Sequence, residues 1–191
     1  RTITIIGEKH VPRGSDALPW VELGQTDAVY FVSGDAEAAR ASRRARVLVA
    51  TARSLPVLAE AGVELDALVR SAGDPSERYE RGDLPARPKL VVATDGRTGG
   101  SWETAGGASG SYRPAPLAGP IADTYGAGDS FAAGLTYALG RGDDAEHAAH
   151  QRNPGQHPGD HCPDQRRGYR NDRQPQRLPR VIDRKCIIPP R

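Results

Sequence analysis

The sequence predicts an α/β domain built on a mostly parallel sheet. Three observations carry that expectation. Short apolar, β-branched runs recur along the first part of the chain, Ala-rich helix-like stretches separate them, and the runs are almost continuously apolar. Strands that alternate with helices build parallel βαβ units. A strand buried on both faces loses the polar alternation of a half-exposed one.

The runs fall at residues 3–6, 28–32, 47–50 and 90–93, each bounded by Gly, Asp or Arg. Residues 35–44 open on the acidic cap Asp35 and are rich in Ala, and residues 55–61 run into Gly62, a helix stop signal. Residues 95–100 form a Gly-rich turn. Residues 101–104 and 110–113 are expected to pair as a hairpin across the Gly-rich residues 105–109, and residues 114–120 read as an extended connection. Phe131, Leu135, Ala138 and Leu139 then repeat at helical spacing, giving a helix that ends near Gly140 or Gly142. Residues 143–149 read as the first turns of a further helix, which the polar string from His150 to Pro154 interrupts before it gains an apolar face. Trp20 and Trp102 are assigned to packing, and His10 and His147 to the surface.

The 191 residues suit one domain. Their hydrophobic share of 37% falls below the roughly 45% of ordinary globular chains, so part of the sequence is not core-forming. Charge locates that part. The formal net charge of +2 conceals ten Lys or Arg against four Asp over residues 151–191, with seven of the 16 prolines and both cysteines. Such a segment buries too little surface to offset its chain entropy, so residues 150–191 are expected to be a disordered basic tail and residues 1–149 the folded domain. A basic arm can attract nucleic acid through counterion release, but Tyr169 is its only aromatic residue and no binding module accompanies it. Nucleic acid is therefore not expected as a partner. No apolar run reaches the roughly 18 residues of a membrane span, and the N-terminus does not resemble a signal peptide, so a cytoplasmic protein is expected. With no Met at position 1 or elsewhere, the chain is expected not to open at a translation start, and it is read as a fragment. The change of composition within a helix suggests that the tail comes from a shifted reading frame or an altered C-terminus.

Gly126-Ala127-Gly128 stands immediately before the helix that starts near Phe131. Small residues let backbone N–H groups converge on an anion there, and the helix dipole adds positive potential, so a phosphate suits the place. Asp129 follows in the first helical turn. A carboxylate there caps a helix, and it can also accept the proton of a hydroxyl that approaches beside a nucleotide phosphate. Gly128-Asp129-Ser130 also reads as an esterase motif with Ser130 as nucleophile, completed by Asp144 and His147. That motif belongs early in a chain, and here it comes late.

The full string Asp123-Thr124-Tyr125-Gly126-Ala127-Gly128-Asp129-Ser130-Phe131 resembles the C-terminal signature of the ribokinase-like, or PfkB, family of carbohydrate kinases. The resemblance implies a ribokinase-like three-layer sandwich, incomplete at the N-terminus, and ATP-dependent phosphorylation of a sugar or sugar-like hydroxyl. It makes Asp129 the catalytic base and Gly126, Ala127 and Gly128 the anion hole. The turn that follows the fourth run offers Thr94, Gly96 and Gly99 as contacts to ATP. Asp123, with Thr124, stands where the family binds a monovalent cation or braces the loop. Relatives carry an Asn-x-x-Glu motif that acts through water on Mg²⁺. It is matched here to Glu37, with Gly34 in place of the Asn. A small-molecule sugar and ATP are the implied partners, a homodimer is an open option, and the sugar itself is not legible. The alternative is a truncated or degenerate member that binds nucleotide without catalysis.

Overall fold

A computed structural model of the chain describes residues 10–114 and 124–149. The expected strand at residues 3–6, Asp123, most of the connection at 114–120 and the basic tail lie outside the described residues. Four strands, β1 (Ala28–Phe31), β2 (Val47–Thr51), β3 (Ala67–Ser71) and β4 (Leu90–Thr94), run parallel, each paired with the next. β5 (Gly100–Thr104) and β6 (Ser109–Tyr112) complete the sheet as the expected antiparallel hairpin. β3 is an addition to the sequence reading. Its apolar part is only Ala67-Leu68-Val69 before Arg70 and Ser71, too short to stand out from the flanking polar residues.

Side chains alternate across the sheet with a period of two, and both faces are covered. Leu48, Ala50 and Leu68 pack in one apolar cluster with residues of α1 (Ala36–Ser42) and α2 (Leu55–Ala61). Val47, Val49, Ala67, Val69 and Val92 pack in the other with α3 (Ala127–Arg141) and α4 (Ala145–Ala149). β2 lies between these layers and is buried along its whole length, which is why it reads as an unbroken apolar run. Trp20 and Trp102 pack against the first and second cluster respectively.

Local chemistry sets the helix ends. Asp35 caps α1 by accepting from the Ala38 N–H at 2.7 Å, and it also takes the Gly14 N–H at 2.9 Å. Those backbone donors hold its carboxyl below the usual carboxylate range. Pro56 lies in the first turn of α2, where its missing N–H costs nothing. α4 departs from expectation: Ala148 and Ala149 are buried, so two methyl groups supply the apolar face that the sequence did not suggest. Asp66 ties β2 to β4 by accepting from the Leu48 N–H, Arg43 and Lys89.

α3 positions the site. Ala132, Leu135 and Ala138 bury its inner face against the sheet, and a buried Leu contributes about 1.5–3 kcal/mol. Near its C-terminus a Cβ on Gly140 would come within 2.9 Å of the Ala28 Cβ, so this glycine permits the close crossing over β1. Arg46, which is bound to Asp27, donates to the Gly140 carbonyl. The helix therefore ends beside the start of β1 and begins near the opposite, C-terminal ends of the parallel strands.

Candidate functional site

At those strand ends lies a cleft of about 440 Å³. Tyr30, Thr51 and Ser71 enter it from β1, β2 and β3, Arg53 and Glu77 from the turns that follow β2 and β3, and Gly126, Gly128 and Asp129 from the start of α3. Open α/β sheets bind ligands outside the carboxyl ends of their strands, because the loops there diverge and the helix N-termini converge.

The helix start is built for close approach. Gly126 takes φ 77°, a left-handed conformation that costs any residue with a Cβ about 1 kcal/mol or more. Among the described residues no side chain caps the helix. The Ala127 N–H bonds the Thr124 carbonyl at 3.2 Å. The N–H groups of Gly128 and Asp129 belong to the first turn, whose donors have no intrahelical acceptor. Gly128 needs no unusual backbone, and among the described residues a Cβ there would meet nothing within 4 Å, so its small size leaves the head of the helix open.

Asp129 is exposed at the mouth of this turn. The Tyr30 hydroxyl donates to its Oδ1 over a long 3.4 Å. Burial, then the Asp129 charge, pushes the Tyr30 phenol up to about 12, so at neutral pH it remains a donor. On the facing wall Arg53 Nε donates to Glu77 Oε1 at 2.6 Å, while Glu77 Oε2 accepts the Ser71 N–H at 2.6 Å. Glu77 is buried, with both oxygens engaged. That hydrogen bond to Glu77 raises the Arg53 pKa further, with burial opposing it and the charges of Glu77, Asp129 and Asp74 adding to it.

The fold brings Asp129, Gly126, Gly128 and Thr124 together, with Ala127 in the same turn. Glu37 sits elsewhere, in the first turn of α1 against Gly14, and is not among the cleft residues. Thr94 closes β4, and Gly96 and Gly99 flank the next turn; these too do not line the cleft. Asp123 lies outside the described residues. The esterase constellation does not assemble. Ser130 and the Asp144–His147 pair lie at opposite ends of α3, and His147 Nδ1 is bound to Asp144 at 2.9 Å. Sequence reasoning missed Tyr30, Arg53 and Glu77. One signal was available for the last: Asp74-Pro75-Ser76-Glu77 has the spacing of the Asn-x-x-Glu motif, with Asp for Asn.

Residues 61–151 match the model of the pfkB family carbohydrate kinases. This segment belongs to the PfkB family. It contains Glu77 and the whole string from Asp123 to Phe131, whereas Tyr30, Thr51 and Arg53 precede it and reach the site through the fold. Among solved structures, a ribokinase from Thermotoga maritima is similar over 70% of this chain and 50% of its own, with 17% identity and a TM-score of 0.54. An adenosine kinase from Sinorhizobium meliloti is similar over 71% of this chain and 49% of its own, with 19% identity and a TM-score of 0.53. A probable sugar kinase from Rhizobium etli matches with 16% identity and a TM-score of 0.53, over 69% and 48% of the two chains. At these identities the likeness is one of fold. The chain spans about half the length of these structures. No curated protein matches it in sequence. Among the described residues no helix is long and apolar enough to cross a membrane, and no group of three or more His, Cys, Asp or Glu could hold a metal ion.

Proposed function

We propose that this chain carries the phosphoryl-transfer half of an ATP-dependent kinase whose acceptor is an alcohol hydroxyl on a sugar or sugar-like molecule. The observation that carries it is Asp129 beside the uncapped N-terminus of α3, in a cleft at the strand ends. Kinases of the PfkB family generally use ATP and Mg²⁺. The residues present suit the phosphates: Gly128 leaves room, and the first-turn N–H groups supply donors. Mg²⁺ is usually bound by one or two carboxylates together with the phosphates, and it neutralises charge as the phosphoryl group moves. Asp123 is the acid to test for it, since Glu37 stands away from the cleft and both oxygens of Glu77 are already engaged.

Asp129 accepts the proton of the acceptor hydroxyl as that oxygen attacks. The N–H groups at the head of α3 offset the negative charge that spreads over the transferring oxygens. Tyr30, protonated at neutral pH, holds one Asp129 oxygen and leaves the other for the acceptor. The test is transfer of the terminal phosphate of ATP to a panel of sugars and nucleosides by the wild-type chain and by Asp129→Asn. Loss of a general base typically costs 10²–10⁴-fold in rate, roughly, with ATP affinity retained. Equal turnover in the variant would remove Asp129 from the mechanism. ATP binding without transfer to any acceptor would leave the nucleotide-binding alternative.

A further inference from the structure

We propose that Arg53 recognises the terminal phosphoryl group of the nucleotide, and so distinguishes ATP from ADP; this rests on the kinase reading above. Two carboxylates line the cleft: Glu77, which is paired with Arg53, and Asp129, whose exposed charge would repel an anionic ligand unless it is offset. Arg53 is the cation on the wall across from α3. Its side chain is 62% exposed although its partner Glu77 is only 5% exposed, so the pair lies half in the protein and half in the cleft.

The guanidinium is only partly engaged by the protein, which leaves donors directed at the cleft. Here only Nε is used: it donates to Glu77, whose second oxygen is fixed by the Ser71 N–H. Among the described residues the two Nη groups of Arg53 have no hydrogen-bond partner. The guanidinium is a planar fork suited to phosphate oxygens, and a fork anchored at one nitrogen loses little freedom when the others bind. Its backbone is fixed as well. The Arg53 N–H donates to Thr51 Oγ1 at 3.4 Å in the turn Ala52–Ser54, and Ser54 Oγ donates to the Val32 carbonyl at 2.7 Å. Glu77 thus acts as a positioning residue for Arg53, and Arg53 faces the open N–H groups at the head of α3 from across the cleft.

The experiment is calorimetric titration of the full chain with Mg·ATP and with Mg·ADP, which reads binding without turnover. Arg53→Gln is expected to weaken ATP at least tenfold and to change ADP less than twofold, with Arg53→Lys in between. Arg53→Gln leaves Glu77 buried without its cation, so the double variant Arg53→Gln/Glu77→Gln, which keeps a neutral hydrogen-bonding pair, guards against misfolding and should show the same loss. ATP affinity unchanged in the double variant, or equal losses for ATP and ADP, would overturn the assignment. Arg53-dependent preference for ATP in a chain that phosphorylates no hydroxyl would instead uphold Arg53 and sink the kinase reading.

Discussion

Tyr30 and Tyr112 are both pushed up to about 12, in each case first by burial. Unfolded tyrosine ionises near 10. A group whose pKa is raised by folding contributes stability that is fully present below the unfolded value and is lost as pH rises through the folded one. The chain should therefore hold its melting temperature up to about pH 10 and lose it progressively toward pH 12. Tyr30→Phe removes one of the two ionisations, so the difference between wild type and variant should shrink steadily over that interval. A difference that stays flat from pH 9 to pH 12, roughly, would show that the Tyr30 phenol does not resist ionisation in the folded chain. The same residue illustrates what sequence could not convey. Tyr30 reads as one more strand residue, and only the descent of α3 onto β1 sets Asp129 beside it.

Among the elements, α3 matters most, because its docking sets the distance between Asp129 and the strand ends. Gly140→Ala would drive a methyl group against Ala28, with no slack on the sheet side. Overpacking of this kind costs about 1–3 kcal/mol. The expected result is a lower melting temperature together with weaker Mg·ATP binding, since lifting the C-terminal end tilts the head of the helix. A stability loss with nucleotide affinity unchanged would mean that the crossing at Gly140 does not govern the cleft. Helix boundaries here were legible from sequence: α2 matches residues 55–61 as expected, and α3 ends between the two glycines proposed. β3 and α4 were not. Their burial depends on a few small residues, Ala67 in one and Ala148 and Ala149 in the other, whose meaning is set by what packs on them.

For the whole molecule, two apolar clusters on opposite faces of one sheet make a three-layer arrangement that the alternation of strands and helices announced. The α3 side of the cleft was equally readable, because Gly126, which its left-handed backbone requires, stands with Gly128 and Asp129 in one contiguous string. The opposite wall was not. Arg53 and Glu77 are distant in sequence, each sits in a polar stretch that reads as loop, and neither gains significance until the parallel pairing of β2 with β3 sets their turns side by side. The central claim, that the head of α3 receives a nucleotide phosphate, is tested most directly by a thermal-shift titration with Mg·ATP on the wild-type chain and on Gly128→Asp. Among the described residues a Cβ at this position meets no atom within 4 Å, so the variant should fold as the parent does while its carboxylate occupies the anion's place. At a hundredfold excess over the dissociation constant, binding raises stability by about 2.7 kcal/mol, and that shift is expected in the parent alone. An equal shift in both proteins, or none in either, would contradict a phosphate site at this helix.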